Sequence, residues 1–132
     1  MTVLLVSVAL LLIVSIYPVF EITNYDKKYL HVSTAYGYSM YPTIKNGDLL
    51  IIALKSSPYY NPEIGDILIY KHDGFYIAHR LLQIKDSFYI VKGDNNDYFE
   101  QIPKEDVVGE VIKVIPQENL IAYYLVKNLI KQ

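Results

Sequence analysis

Ser39 lies in Tyr36-Gly37-Tyr38-Ser39-Met40-Tyr41-Pro42-Thr43, a segment built to turn sharply. The glycine two residues before the serine frees the backbone. Pro42 fixes the exit direction and biases Tyr41 away from helix. A serine on such a turn exposes its Oγ, and its own N–H can face a developing oxyanion. Serine attacks a carbonyl only when a neighbouring base takes its proton. The chain has three histidines, His31, His72 and His79. His79 sits in Tyr76-Ile77-Ala78-His79-Arg80-Leu81, which reads as a strand that holds the ring in place. Gly93-Asp94-Asn95-Asn96-Asp97, with Glu100 shortly after, supplies carboxylates able to orient a histidine. Ser39, His79 and one of Asp94, Asp97 or Glu100 therefore form a candidate set for acyl transfer by a serine, a base and an acid.

Each member also has a plainer reading. Serine, glycine and proline fill ordinary turns, and a dense Asp/Asn stretch is a common turn former. A lone strand histidine is most simply a satisfied structural one. A calcium loop fits 93–100 poorly, since its glycine comes first and no glutamate closes it at position twelve.

The elements that must position these residues read mostly as strands. His31 to Tyr36 is one candidate. Asp48 to Leu54 is an apolar run led by the turn signal Lys45-Asn46-Gly47-Asp48. Lys55 to Gly65 carries Ser56-Ser57-Pro58 and Asn61-Pro62 and reads as a loop. Ile67 to Tyr70 and Phe75 to Ile84 flank the hairpin signal Asp73-Gly74. Phe88 to Lys92 alternates, Gly93 to Gln101 reads as a polar loop, and Val107 to Ile115 is a final strand closed by Pro116. Gln117 to Gln132 spaces its apolar residues every fourth position and reads as a helix, one that would pack on the sheet or lie on a membrane surface. Helix is too scarce between the strands for parallel crossovers. The expected fold is mainly β (α+β), a small twisted antiparallel domain.

Val3 to Phe20 is apolar apart from Ser7 and Ser15 and carries no charge. That is about the length needed to cross ~30 Å of hydrocarbon. A cleaved secretory leader would want a basic start and a small-x-small cleavage site. Neither is present, and a retained anchor is the better reading. Lys27-Lys28 after the span would place the main domain in the cytoplasm by the positive-inside rule. The expected divisions are an anchor at 1–22, a β-rich domain at 23–116 and an amphipathic helix at 117–132.

Composition narrows the function classes. The 132 residues carry 12 basic and 14 acidic side chains, a net charge of −2, with the basic ones scattered. Nothing there grips nucleic acid electrostatically. With no cysteine, disulfides, thiolate zinc sites and a cysteine nucleophile are excluded.

Taken in order, the motifs resemble the type I signal peptidase family. Ser39-Met40-Tyr41-Pro42-Thr43 followed by Gly47-Asp48 is similar to its nucleophile box. Gly65-Asp66-Ile67-Leu68 is similar to its next strand motif, Ala78-His79-Arg80-Leu81 to its base box, and Lys92-Gly93-Asp94-Asn95-Asn96 to its last box. A histidine at the base position resembles the archaeal and endoplasmic reticulum type rather than the lysine-bearing bacterial one. The resemblance implies the fold of a signal peptidase domain. It implies Ser39 as nucleophile and His79 as base, with Asp94 or Asp97 as the orienting acid and Glu100 competing for that role. It implies no metal or cofactor.

The expected substrate is a signal-peptide-bearing preprotein, extended along His31 to Tyr36, with Met40 and Leu49 to Ala53 walling its pockets. The expected surroundings are a cell membrane, spanned once with the catalytic domain on the extracytoplasmic side, and the protein translocation channel. That placement overrules the lysine-pair argument. Two positions depart from the family pattern. Gly37 stands where many relatives carry an oxyanion serine, and Glu100 stands where histidine-type relatives carry a second aspartate. One rival is a lysine base, Lys71 or Lys92. Self-cleaving repressors share the fold and use lysine, but carry a DNA-binding domain for which this chain has no room. The other rival is a non-catalytic single-pass membrane β module.

Overall fold

A computed structural model of the chain describes residues 1–130. Helix α1 spans Thr2–Thr23, and a 3-10 turn at Lys27–Tyr29 leads into the first strand. The strands are β1 (Leu30–Thr34), β2 (Leu49–Leu54), β3 (Ile67–His72), β4 (Phe75–Ile84), β5 (Phe88–Lys92), β6 (Glu100–Pro103) and β7 (Val107–Ile115). Helix α2 spans Leu120–Leu129. The strands form one sheet in the order β1-β2-β7-β3-β4-β5-β6. Every neighbouring pair is antiparallel. The mainly β, antiparallel expectation therefore holds.

Alternation along the strands sends side chains to two faces. In β2, Leu49 and Ile51 join a cluster with Leu30, Ile115, Ala122 and Val126, while Leu50 and Ile52 join Met40, Ile44, Ile67 and Ile69 on the other side. The curled β3-β4-β5-β6 half holds a third cluster of Leu68, Tyr70, Leu81, Tyr89, Val91 and Ile102. Burying a side chain such as Ile51 contributes roughly 1.5–3 kcal/mol. The β3–β4 hairpin turns through Asp73 (φ 49°) and Gly74 (φ 82°). Both are left-handed, as a two-residue turn matched to strand twist requires.

Several boundaries differ from the sequence reading: β1 is Leu30–Thr34 rather than His31 to Tyr36, β2 begins at Leu49 rather than Asp48, β3 runs on to His72, and two further differences have a local cause. Glu100–Pro103 is a strand rather than the end of a loop. It lies at the sheet edge, pairs Glu100 with Val91 and Ile102 with Tyr89, and buries only Ile102. Long-range pairing recruits it, since its own composition has no strand signal. Helix α2 starts at Leu120 instead of 117, because the Asn119 side chain accepts the Ala122 N–H at 3.2 Å and caps it there. Its expected last residues, 131 and 132, lie outside the described residues.

Helix α1 is long and apolar enough to cross a membrane, with a mean hydropathy of 2.7. Its first thirteen residues, Thr2 to Val14, are exposed on all sides, and only from Ser15 onward is one side covered. There Ile22 enters the cluster under α2, Glu21 pairs with Lys113 of β7, and the Ser15 carbonyl accepts from Asn119 Nδ2 at 3.0 Å.

Candidate active site

Ser39 sits in a loop closed at its neck. The Ala35 N–H donates to the Asp48 carbonyl and the Gly47 N–H to the Ala35 carbonyl, both over 2.8 Å. Gly37 adopts φ 88°, reserved in practice for glycine, and its N–H donates to Asn46 Oδ1 at 2.9 Å. The Asp48 carboxylate, 1% exposed, accepts the Lys45 N–H at 2.8 Å and the Gln117 N–H at 3.1 Å. Met40 and Ile44 are buried in the sheet face and fasten the loop from beneath.

The far side of the loop is stitched to the segment after β5. The Asn95 N–H donates to the Ser39 carbonyl at 2.8 Å, and Asn95 Nδ2 donates to the Tyr38 carbonyl at 3.1 Å. Arg80 pairs with Lys92 across β4 and β5. Continuing that ladder by one step sets Gly93 beside His79. A Cβ on Gly93 would stand 2.6 Å from the Ser39 carbonyl oxygen, so the bare glycine is what admits the serine backbone to the histidine strand.

His79 is 3% exposed on β4. Its Nδ1 lies 2.7 Å from Glu100 Oε1 and 2.9 Å from the Tyr70 hydroxyl. Tyr70 also reaches both Glu100 oxygens, at 3.2 and 3.3 Å. A nitrogen and a carboxylate oxygen at 2.7 Å share a proton, which places N–H on Nδ1 and leaves Nε2 as the basic nitrogen. No buried side-chain polar atom lacks a partner among the described residues. Nε2 has none, so it opens toward the surface. Burial holds the His79 pKa below its ordinary value, against the opposing pull of the Glu100 carboxylate. The imidazole is thus neutral near pH 7, as a base must be. Burial likewise pushes the Tyr70 hydroxyl up, so it remains a donor.

Of the acids singled out in the sequence, Glu100 meets His79. Asp94 is taken by Arg80, whose Nε and Nη2 donate to its two oxygens at 2.8 and 2.6 Å, and by the Thr43 hydroxyl at 2.6 Å. The Arg80 guanidinium, with help from Thr43, holds its carboxyl below the usual range. Asp94 therefore clamps the serine loop to β4. Asp97 is exposed and makes no hydrogen bond or ion pair among the described residues. Tyr70, Thr43 and Asn95 were not singled out in the sequence. For Tyr70 a signal existed: the Asp73-Gly74 turn sets Leu68 opposite His79, which leaves Tyr70 as its diagonal neighbour on the same face.

Ser39 Oγ and His79 make no hydrogen bond to each other, and Oγ has no other partner among the described residues. The Ser39 N–H likewise makes none and is available to an oxyanion. A groove of about 740 Å³ runs from Ser39 along the exposed edge of β1, between Ser33, Met40, Leu50, Ile52 and Ala78. Of the strand expected to wall it, the alternate residues Leu50 and Ile52 face the groove, and Leu49 and Ile51 face the other core. Among the described residues no group of His, Cys, Asp or Glu is arranged to hold a metal ion.

A family model described as Peptidase S24-like matches residues 12–115. That family lies in the serine peptidase superfamily shared by signal peptidases and self-cleaving repressors, and its chemistry is hydrolysis. No curated protein matches the chain.

Proposed function

The chain belongs to the Peptidase S24-like family, and on that premise we propose that it is a membrane-held serine endopeptidase that removes signal peptides from exported preproteins. The observation that carries this reading is the direction of α1. Glu21 pairs with Lys113 and Ser15 bonds Asn119, so α1 runs beside the end of β7 and its free apolar part projects past Ile115. Ile115 pairs with Leu49, and Leu49 with Thr34, the two residues that flank the Ser39 loop. The membrane helix and the nucleophile thus share one end of the sheet. A substrate cut just beyond its own apolar segment presents its scissile bond there.

His79 Nε2 accepts the Ser39 proton as Oγ adds to the scissile carbonyl. Glu100 steadies the imidazolium, and the Ser39 N–H faces the oxyanion. The C–N bond then breaks, His79 protonates the departing amine, and water releases the acyl group by the same route. The substrate lies extended along β1, whose outer edge pairs with no other described strand. Met40, Leu50 and Ile52 give it shallow apolar walls. The domain faces the extracytoplasmic side, near the translocation channel.

The test is reconstitution of the full chain in liposomes with a preprotein bearing a small-x-small site, beside Ser39→Ala and His79→Ala. Processing that both substitutions abolish is expected. No processing by the wild type would leave the non-catalytic membrane module. Cleavage that needs Ser39 but not His79 would point to a lysine base.

A further inference from the structure

We infer that Tyr70 is a positioning residue of the catalytic pair, fixing the tautomer of His79 through Glu100. The inference rests on the peptidase reading for its kinetic consequence, but not for its geometry. Three polar atoms form a closed triangle: the Tyr70 hydroxyl, His79 Nδ1 and the Glu100 carboxylate. Two protons serve it. A neutral imidazole carrying its proton on Nε2 would turn a bare Nδ1 lone pair toward a carboxylate oxygen 2.7 Å away, two acceptors with nothing between them. With the proton on Nδ1, His79 donates to Oε1, and the Tyr70 O–H donates to the same carboxylate.

Tyr70 is suited to the task by its place. It is 1% exposed and packed among Leu68, Leu81 and Val91, so its ring cannot swing away. Glu100, by contrast, opens a short edge strand and is partly exposed, and a glutamate has three side-chain torsions to restrain. The phenol reaches both of its oxygens, at 3.2 and 3.3 Å, and holds the carboxylate against Nδ1. The hydroxyl forms no bond with substrate; it keeps Nε2 unprotonated and aimed outward, the condition for accepting the Ser39 proton.

The experiment uses the full chain in detergent with ¹⁵N-labelled histidine, as wild type and as Tyr70→Phe, which preserves the buried ring. The His79 nitrogens are followed by NMR at a pH where the ring is neutral, and processing kinetics are measured in parallel. The wild type is expected to show a single Nδ1–H tautomer, and Tyr70→Phe a mixture. kcat is expected to fall about tenfold, the scale of one lost hydrogen bond to a charged group, with KM held. An Nε2–H tautomer in the wild type overturns the inference without any variant. So does a Tyr70→Phe protein that keeps the pure Nδ1–H form, or one whose kcat is unchanged. The spectra need no substrate. If the preprotein is not cut yet the tautomer responds to Tyr70→Phe, the substrate reading fails and the positioning role stands.

Discussion

Gly93 and Ser39 approach each other so closely that a single added carbon on Gly93 would lie 2.6 Å from the Ser39 carbonyl oxygen. The same carbon would lie 2.6 Å from Asn96 Nδ2. A side-chain amide can rotate aside, but the Ser39 carbonyl is backbone held by Asn95. Gly93→Ala is therefore expected to push the serine off the histidine strand. A displacement of about 1 Å costs on the order of a hundredfold in rate, and overpacking costs about 1–3 kcal/mol in stability. Initial rates and thermal unfolding of the one variant check both figures.

Glu100→Gln keeps the shape of the acid but removes its charge, and the amide can offer Nδ1 a donor instead of an acceptor. Loss of the orienting acid of a serine–histidine pair costs up to about 10⁴-fold in kcat. Asp97→Asn is expected to leave the rate unchanged, because Asp97 is exposed and makes no hydrogen bond or ion pair with His79. Equal effects of the two substitutions would contradict the assignment.

Activity requires neutral His79. Burial disfavours its cation and outweighs the carboxylates that favour it. The acid limb of kcat/KM is therefore expected below the ordinary histidine value of 6.5. The same displacement bears on folding. Because the folded-state pKa is depressed, the unfolded chain takes up the proton first as pH falls. This contribution to stability is full above 6.5 and drains away between 6.5 and the depressed value. A pH–rate profile and denaturation midpoints across that window test both statements.

Asp94→Asn removes the ion pair with Arg80. The two side chains are 19% and 29% exposed, so solvent screening limits the expected loss to about 1–2 kcal/mol. In the wild type the carboxyl is held below 3.8, so its contribution is present above 3.8 and is lost as pH falls through the lowered value. The variant should show a flatter acid-side decline in stability, measured by thermal unfolding at a series of pH values.

Much of the sheet was legible in the sequence because its strands carry their own signals. Asp73-Gly74 fixes a hairpin, and Leu49 to Leu54 is apolar at every position because both of its faces are covered. Glu100 to Pro103 was not legible, since a short edge strand with one buried residue is defined by its partner β5 alone. The acid at His79 failed to declare itself for the same reason. Asp94, Asp97 and Glu100 fall at intervals of three, and nothing local says which of them the curl of the sheet carries back to β4. Arg80 decides the matter for Asp94 by capturing it, and that contact depends on the register between β4 and β5. Helix α2 begins later than its apolar period suggests, because the Asn119 side chain caps the Ala122 N–H and fixes the first turn there.

The two hydrogen bonds between Ala35 and the Gly47-Asp48 pair seal the serine loop directly above the last rung of β1 and β2. Whatever lies between them is topologically an insert. Its exposed residues Tyr36, Tyr38 and Tyr41 can change in kind without shifting the strands below, while Met40 and Ile44 stay packed in the sheet face as its anchors. The sheet serves as a chassis, and the nucleophile rides on it as an exchangeable cassette. A descendant of this chain could retune reach and selectivity at Ser39 while leaving its folding core untouched.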